Sequence, residues 1–131
     1  MSTKPESIIE LEKTIKQPLE RLEHLHSWAK AKSYALDNQG RIISLNLRNT
    51  GIHTLTLSRD FYHLQRLDLT KNALQNLQFE TDMPDLELLD VSYNKTEWNS
   101  LTLPTGCTKL KYVYAYHSDS KLILTYRKIG L

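Results

Sequence analysis

The side chains of this chain with the widest chemical range are few: five histidines and a single cysteine. His24 and His26 lie two apart in a stretch with helical periodicity, which turns their side chains about 200° away from each other. Helical metal ligands need i, i+4 spacing, as in H-E-x-x-H, so both read as surface histidines. His53 and His63 fall in connections, with nothing nearby in sequence to orient either as a general base. Cys107, within Thr105-Gly-Cys-Thr108, follows no local signature of a Cys/His nucleophile pair, and free cysteine is commonly a small buried hydrophobe. No Walker loop, G-x-G-x-x-G, G-x-S-x-G or paired-cysteine zinc spacing occurs. The expectation is a protein that is not an enzyme and takes no cofactor or metal.

What remains is recognition chemistry. Tyr112, Tyr114 and Tyr116 alternate with Val113 and Ala115, so on an extended strand the three rings share one face and the small apolar residues the other. Tyrosine and arginine are enriched among residues that anchor protein partners. The elements that would position these rings come from a repeat.

From Ile42 onward apolar residues recur at a fixed period. Ile42-Ile-Ser-Leu-Asn-Leu-Arg-Asn-Thr-Gly-Ile52, Leu64-Gln-Arg-Leu-Asp-Leu-Thr-Lys-Asn-Ala-Leu74, Leu86-Glu-Leu-Leu-Asp-Val-Ser-Tyr-Asn-Lys-Thr96 and Leu110-Lys-Tyr-Val-Tyr-Ala-Tyr-His-Ser-Asp-Ser120 align with apolar residues at repeat positions 1, 4 and 6, their starts 22, 22 and 24 residues apart. This resembles the leucine-rich repeat family, whose L-x-x-L-x-L-x-x-N-x-L unit is intact in the second copy and altered in the others; the match covers about residues 41 to 125. Within each L-x-L, Leu45/Leu47, Leu67/Leu69, Leu89/Val91 and Val113/Ala115 point to one face, predicting one strand per coil of a parallel sheet. Asn72 and Asn94 fall where the chain leaves the strand, and an amide there can bond backbone groups of its own and neighbouring coils; Thr50 and Ser118 replace it in the outer coils. A second alternating pair, at Leu55/Leu57, Leu77/Phe79, Leu101/Leu103 and Leu122/Leu124, predicts short extended segments on the outer side. The two extra residues of the third coil fall in Glu97-Trp-Asn-Ser100, placing Trp98 on a bulge.

The fold class expected is therefore α/β: a leucine-rich repeat solenoid of about four coils, with parallel strands on the inner face and a helical N-terminal cap. Residues 1–40 form the cap with an edge hairpin strand, and residues 41–131 the repeats with a C-terminal closing strand. Ile8, Leu11, Ile15, Leu19, Leu22, Leu25, Trp28 and Ala29 recur at spacings of three and four. Pro18 divides that stripe into helices over roughly 6–16 and 18–31, which cover the open end of the repeats. Tyr34-Ala-Leu36, a turn at Asp37-Asn-Gln-Gly40 and Arg41-Ile-Ile-Ser-Leu45 read as a hairpin adding an antiparallel edge strand. This region is similar to the N-terminal cap of plant receptor-type leucine-rich repeats, without that cap's cysteines. At the other end Lys121-Leu-Ile-Leu-Thr-Tyr126 closes the last coil, with Arg127-Lys128 blunting its edge; an unprotected edge that dimerises is the alternative.

Repeat positions 3, 5, 7 and 8 face outward and supply the candidate partner-binding residues: Arg48, Arg66, Asp68, Asp90, Tyr93, Tyr112, Tyr114 and Tyr116, with Trp98 on its bulge. Asp68 and Asp90 occupy the same position on adjacent strands about 4.8 Å apart, a like-charge pair that Arg66, Arg48 or Lys71 can offset. The tyrosines have two readings, a binding patch or a C-terminal cap over the core edge.

Composition narrows the partner. With 17 Lys+Arg against 15 Asp+Glu, the chain lacks the basic excess of a protein that binds by neutralising phosphates, so no nucleic acid is expected. No apolar stretch approaches the ~20 residues of a membrane span. Residues 76–100 carry six acids and one base, and residues 101–131 five bases and one acid, a polarity that steers an oppositely charged protein or favours self-contact. One cysteine and a charged N-terminus read as cytoplasmic. The functional expectation is a cytoplasmic, non-catalytic, predominantly monomeric module that binds another protein through the sheet face. A structural or regulatory segment of a larger signalling or effector system, or a self-associating scaffold, is the alternative.

Overall fold

A computed structural model describes residues 4–23, 30–94, 100–101 and 106–116. One helix, α1 (Glu6–Ile15), precedes the strands β1 (Glu20–Leu22), β2 (Ser33–Leu36), β3 (Ile42–Asn46), β4 (Thr54–Leu57), β5 (Arg66–Asp68), β6 (Asn76–Phe79), β7 (Leu88–Asp90), β8 (Ser100–Leu101) and β9 (Tyr112–Tyr114). They form two sheets, one ordered β1-β2-β3-β5-β7-β9 and the other β4-β6-β8. Apart from the antiparallel β2/β3 pair, every pairing is parallel.

The strand alternation dictates what lies between the sheets. Leu45, Leu67, Leu89 and Val113 stand opposite one another across β3, β5, β7 and β9, and Leu55 and Leu77 pair across β4 and β6. Leu45, Leu47, Leu55, Leu57, Leu64, Leu67, Leu69, Leu77, Leu86 and Leu89 are buried in a single core, in the register the 22-residue period predicts. Phe61 and Met83 fill the core at equivalent points, and Cys107 packs against it as the third member. In each case the residue's carbonyl accepts from the N–H three residues on, at Leu64, Leu86 and Leu110. Burial pushes the Cys107 thiol up, which disfavours the thiolate that nucleophilic chemistry needs.

Strands β5 and β7 of the larger sheet end in the same way, and β3 does so in part. The amide of Asn72 donates to Leu47 O, Leu69 O and Thr70 O, and its carbonyl accepts from Thr50 N and Gly51 N, both at 2.9 Å. Asn94 repeats this at the end of the next strand, β7, donating to Leu69 O, Val91 O and Ser92 O and accepting from Leu74 N. Thr50 keeps one element of the pattern, its hydroxyl donating to Leu47 O at 3.0 Å. The residue before each of these three, Asn49, Lys71 or Tyr93, is left-handed with φ between 55° and 60°. That conformation suits asparagine and costs an ordinary side chain about 1–2 kcal/mol.

At the N-terminal end the first helix lies where the sequence places it, and Ile8, Leu11 and Ile15 join the core. The helix runs alongside β4, the two bounding a groove of about 360 Å³. The second expected helix, over 18–31, is corrected. Glu20–Leu22 is strand β1, paired in parallel with β2, and residues 24–29, with His24, His26 and Trp28, lie outside the described residues. Pro18 and the left-handed Lys16 end the helical path, and the exposed edge of β2 offers hydrogen bonds that three residues satisfy best as a strand. The expected hairpin is present: β2 and β3 pair antiparallel, Gly40 takes φ 79°, and Asp37 Oδ1 accepts from Gln39 N and Arg41 N at 2.9 Å.

Glu12 ties this end together, its Oε2 accepting from Leu19 N at 2.7 Å and from Lys4 Nζ at 2.8 Å. The Leu19 bond, with Lys4 second, holds the Glu12 carboxyl below its ordinary value. A depressed carboxyl stabilises the fold fully above the unfolded-state value and loses that contribution as pH falls through the folded-state value. The melting temperature of the wild type should therefore drop more steeply than that of Glu12→Gln between about pH 5 and pH 3. Parallel curves for the two proteins in a pH series of thermal melts would remove Glu12 from this role.

Candidate functional site: the outward face of the larger sheet

Strand register builds this face as a grid. Ser44, Arg66, Leu88 and Tyr112 stand in one row across β3, β5, β7 and β9, and Asn46, Asp68, Asp90 and Tyr114 in the next. Arg48, Thr70, Ser92 and Tyr116 follow two residues further along. The grid changes character from one side to the other.

On the β3/β5 side it is a closed polar floor. Asn46, Asp68 and Asp90 each accept, through Oδ1, the backbone N–H two residues on, from Arg48, Thr70 and Ser92. This Asx-type bond turns the chain off the strand. Asp68 goes further: Oδ1 also accepts from Thr70 Oγ1 at 2.8 Å, and Oδ2 from Arg48 Nη2 at 3.1 Å. Arg48 Nε in turn donates to Thr70 Oγ1 at 3.2 Å. Both Asp68 oxygens are thus engaged within the chain and the residue is only 1% exposed. The expectation that Asp68 is an outward recognition residue is corrected, because the Arg48 guanidinium and Thr70 close over it. Of the three offsetting cations that the sequence offered, Arg66, Arg48 and Lys71, it is Arg48 that pairs with Asp68.

Asp90 is equivalent in position and different in circumstance. It forms no ion pair with any described residue and is half-buried beside Tyr114. Burial raises its carboxyl above the ordinary aspartate value; the Ser92 hydrogen bonds oppose this, the Asp68 charge adds to it, and Arg48 counteracts only weakly from across Asp68.

On the β9 side the face is aromatic. The rings of Tyr112 and Tyr114 are stacked with centroids 6.1 Å apart and planes 7° apart, and those of Tyr114 and Tyr116 at 6.0 Å and 19°. Tyr112 is 50% exposed, Tyr116 62% and Tyr93 45%. Tyr93 N–H donates to Tyr116 O at 2.7 Å, which fixes that backbone beside the end of the column. Arg66 reaches this side too, lining with Glu87, Leu88, Lys111 and Tyr112 a small cleft of about 260 Å³. The structure thus brings Arg66, Asp90, Tyr93 and the three stacked tyrosines to one surface. Trp98 lies outside the described residues.

A second arrangement escaped the sequence reading. His63 Nδ1 lies 3.5 Å from Asp85 Oδ2, and Lys109 Nζ lies 3.2 Å from Asp85 Oδ1. Each residue immediately precedes the first leucine of its repeat, so the shared register could have revealed the column. It borders a cleft of about 750 Å³ that includes Arg41, Arg59, Asp60, Tyr62, His63 and Asp82, where cations and carboxylates oppose each other. Among the described residues no group of three or more His, Cys, Asp or Glu side chains could hold a metal, and no helix is long and apolar enough to cross a membrane.

Over 74 residues the chain is 36% identical to a Roc-COR-CHAT protease from an unknown prokaryotic organism. The alignment covers 56% of this chain and 7% of that protein, so the chain corresponds to a small part of the relative's length. No family model matches the chain. No solved structure matches it.

Proposed function

We propose that this chain is a leucine-rich repeat solenoid acting as a cytoplasmic, non-catalytic recognition module that binds a partner protein through the aromatic side of its larger sheet. The observation that carries the reading is the column of Tyr112, Tyr114 and Tyr116, three stacked rings at or near the surface on β9 and just beyond its end. A solvated sheet face has no need of such a column, whereas interface anchors are characteristically aromatic. The 22-residue spacing, the asparagine amides at the strand ends and one strand per repeat in each sheet support the solenoid reading.

A second reading has its own support. Because the chain matches only a small part of a much longer protein, it also suits a regulatory or structural segment of a larger system, in which the same face docks against another part of the assembly. Light scattering after gel filtration separates either reading from a self-associating scaffold, which would elute as a multimer; a monomer is expected.

The test of the face is Tyr114→Ala. Capture of a partner on the immobilised chain, followed by affinity and melting measurements on the same variant, should show binding weakened by about 1–3 kcal/mol and a melting temperature nearly unchanged. Full affinity with lost stability would make the tyrosines a cap and move attention to Trp98.

A further inference from the structure

We infer that the partner presents an arginine side chain to this face, its guanidinium seated on Asp90 and against the ring of Tyr114; this deepens the reading of the face as a partner-binding surface and rests on it. The chain carries its own precedent one strand away. At Asp68 the carboxylate is closed by Arg48 from the preceding repeat, with Thr70 Oγ1 as a further acceptor. The residue that stands to Asp90 as Arg48 stands to Asp68 is Thr70, which is committed to Asp68 and brings no charge. Among the described residues, Asp90 is thus the same carboxylate at the same register position without a paired cation.

Its surroundings suit a guanidinium better than an ammonium. Ser92 is the residue that hydrogen-bonds the carboxylate, through its N–H to Oδ1 and through its side chain, and Tyr114 occupies the neighbouring position on β9. A planar, weakly hydrated cation can therefore make a charge-assisted bond to the half-buried carboxylate at a smaller dehydration cost than an ammonium, beside the Tyr114 ring, whose faces stay stacked on Tyr112 and Tyr116. The raised carboxyl is what a half-buried acid lacking a cation shows. Arg66 lies on the same face and lines the cleft with Glu87, Leu88, Lys111 and Tyr112.

The experiment follows the tyrosine ring signals by NMR while titrating a capped tripeptide containing arginine, its lysine and glutamate counterparts, and a short oligothymidylate. The arginine peptide should shift the Tyr112, Tyr114 and Tyr116 rings saturably and bind more tightly than the lysine peptide. Asp90→Asn should weaken it at least fivefold. That variant should fold, since Asn46 already makes the same Asx bond in the first repeat, and its melting temperature should not fall at pH 7 because a disfavoured charge is removed. Equal binding in Asp90→Asn overturns the inference. A stronger response to the glutamate peptide or the oligothymidylate also overturns it, yet leaves the tyrosine face a binding surface. Rings that no probe shifts overturn both readings.

Discussion

Leu67→Ala should destabilise the fold by about 2–5 kcal/mol, the range for removing a buried leucine where neighbours cannot close the gap. Leu67 is 0% exposed and stands in register between Leu45 on β3 and Leu89 on β7. The cavity would open where two repeats meet, and in a repeat array each unit is held chiefly by its neighbours. Relaxation is limited because β5 is hydrogen-bonded on both sides. A denaturant titration gives the value directly, and a loss below about 0.5 kcal/mol, the range of surface substitutions, would mean that the register is misassigned.

Asn94→Ala should cost about 2–4 kcal/mol, from leaving several buried backbone groups without a partner. The Asn94 side chain is the acceptor for Leu74 N–H at 3.0 Å and a donor to Leu69 O and Val91 O at 3.0 and 2.9 Å. Alanine leaves these groups unpaired where water has little access. Asn94→Thr is the informative companion, because Thr50 shows that a hydroxyl in this place still reaches the carbonyl three residues back. Threonine should recover part of the loss and no more, since one hydroxyl cannot span two repeats as the amide does. Equal stabilities for the alanine and threonine variants would show that the amide's hydrogen bonds are not what holds this turn.

Much of this architecture was legible because the leucines carry two signals at once. Their 22-residue period sets the order of the parallel strands, and their two-residue alternation sets which side chains enter the core. The asparagines at 72 and 94 were legible for a related reason, as polar residues at fixed places beside an apolar pattern. The stretch around Leu19 and Leu22 was not. Apolar residues three apart favour a helix locally, and that preference was overridden by a non-local partner, the edge of β2. Asp68 was misplaced because alternation tells which face a side chain leaves from and nothing of what covers it afterwards. Arg48 and Thr70, from two repeats, close over it by hydrogen bonds that no spacing rule encodes. The pairing of His63 with Asp85 and Lys109 was hidden by distance along the chain, although the common register of the three offered a way to find it.

The tyrosine column has a thermodynamic consequence for any encounter. Rings stacked 6.0 and 6.1 Å apart on β9 and the turn that follows it have already given up much of their torsional freedom as part of folding. Immobilising a side chain at an interface ordinarily costs about 0.5–1.5 kcal/mol, and here much of that ordering precedes contact. Such a surface needs fewer contacts to hold a partner than a flexible one of equal area. A partner docking there would be met with little change of shape, and discrimination between candidate partners would fall to the polar groups at the border.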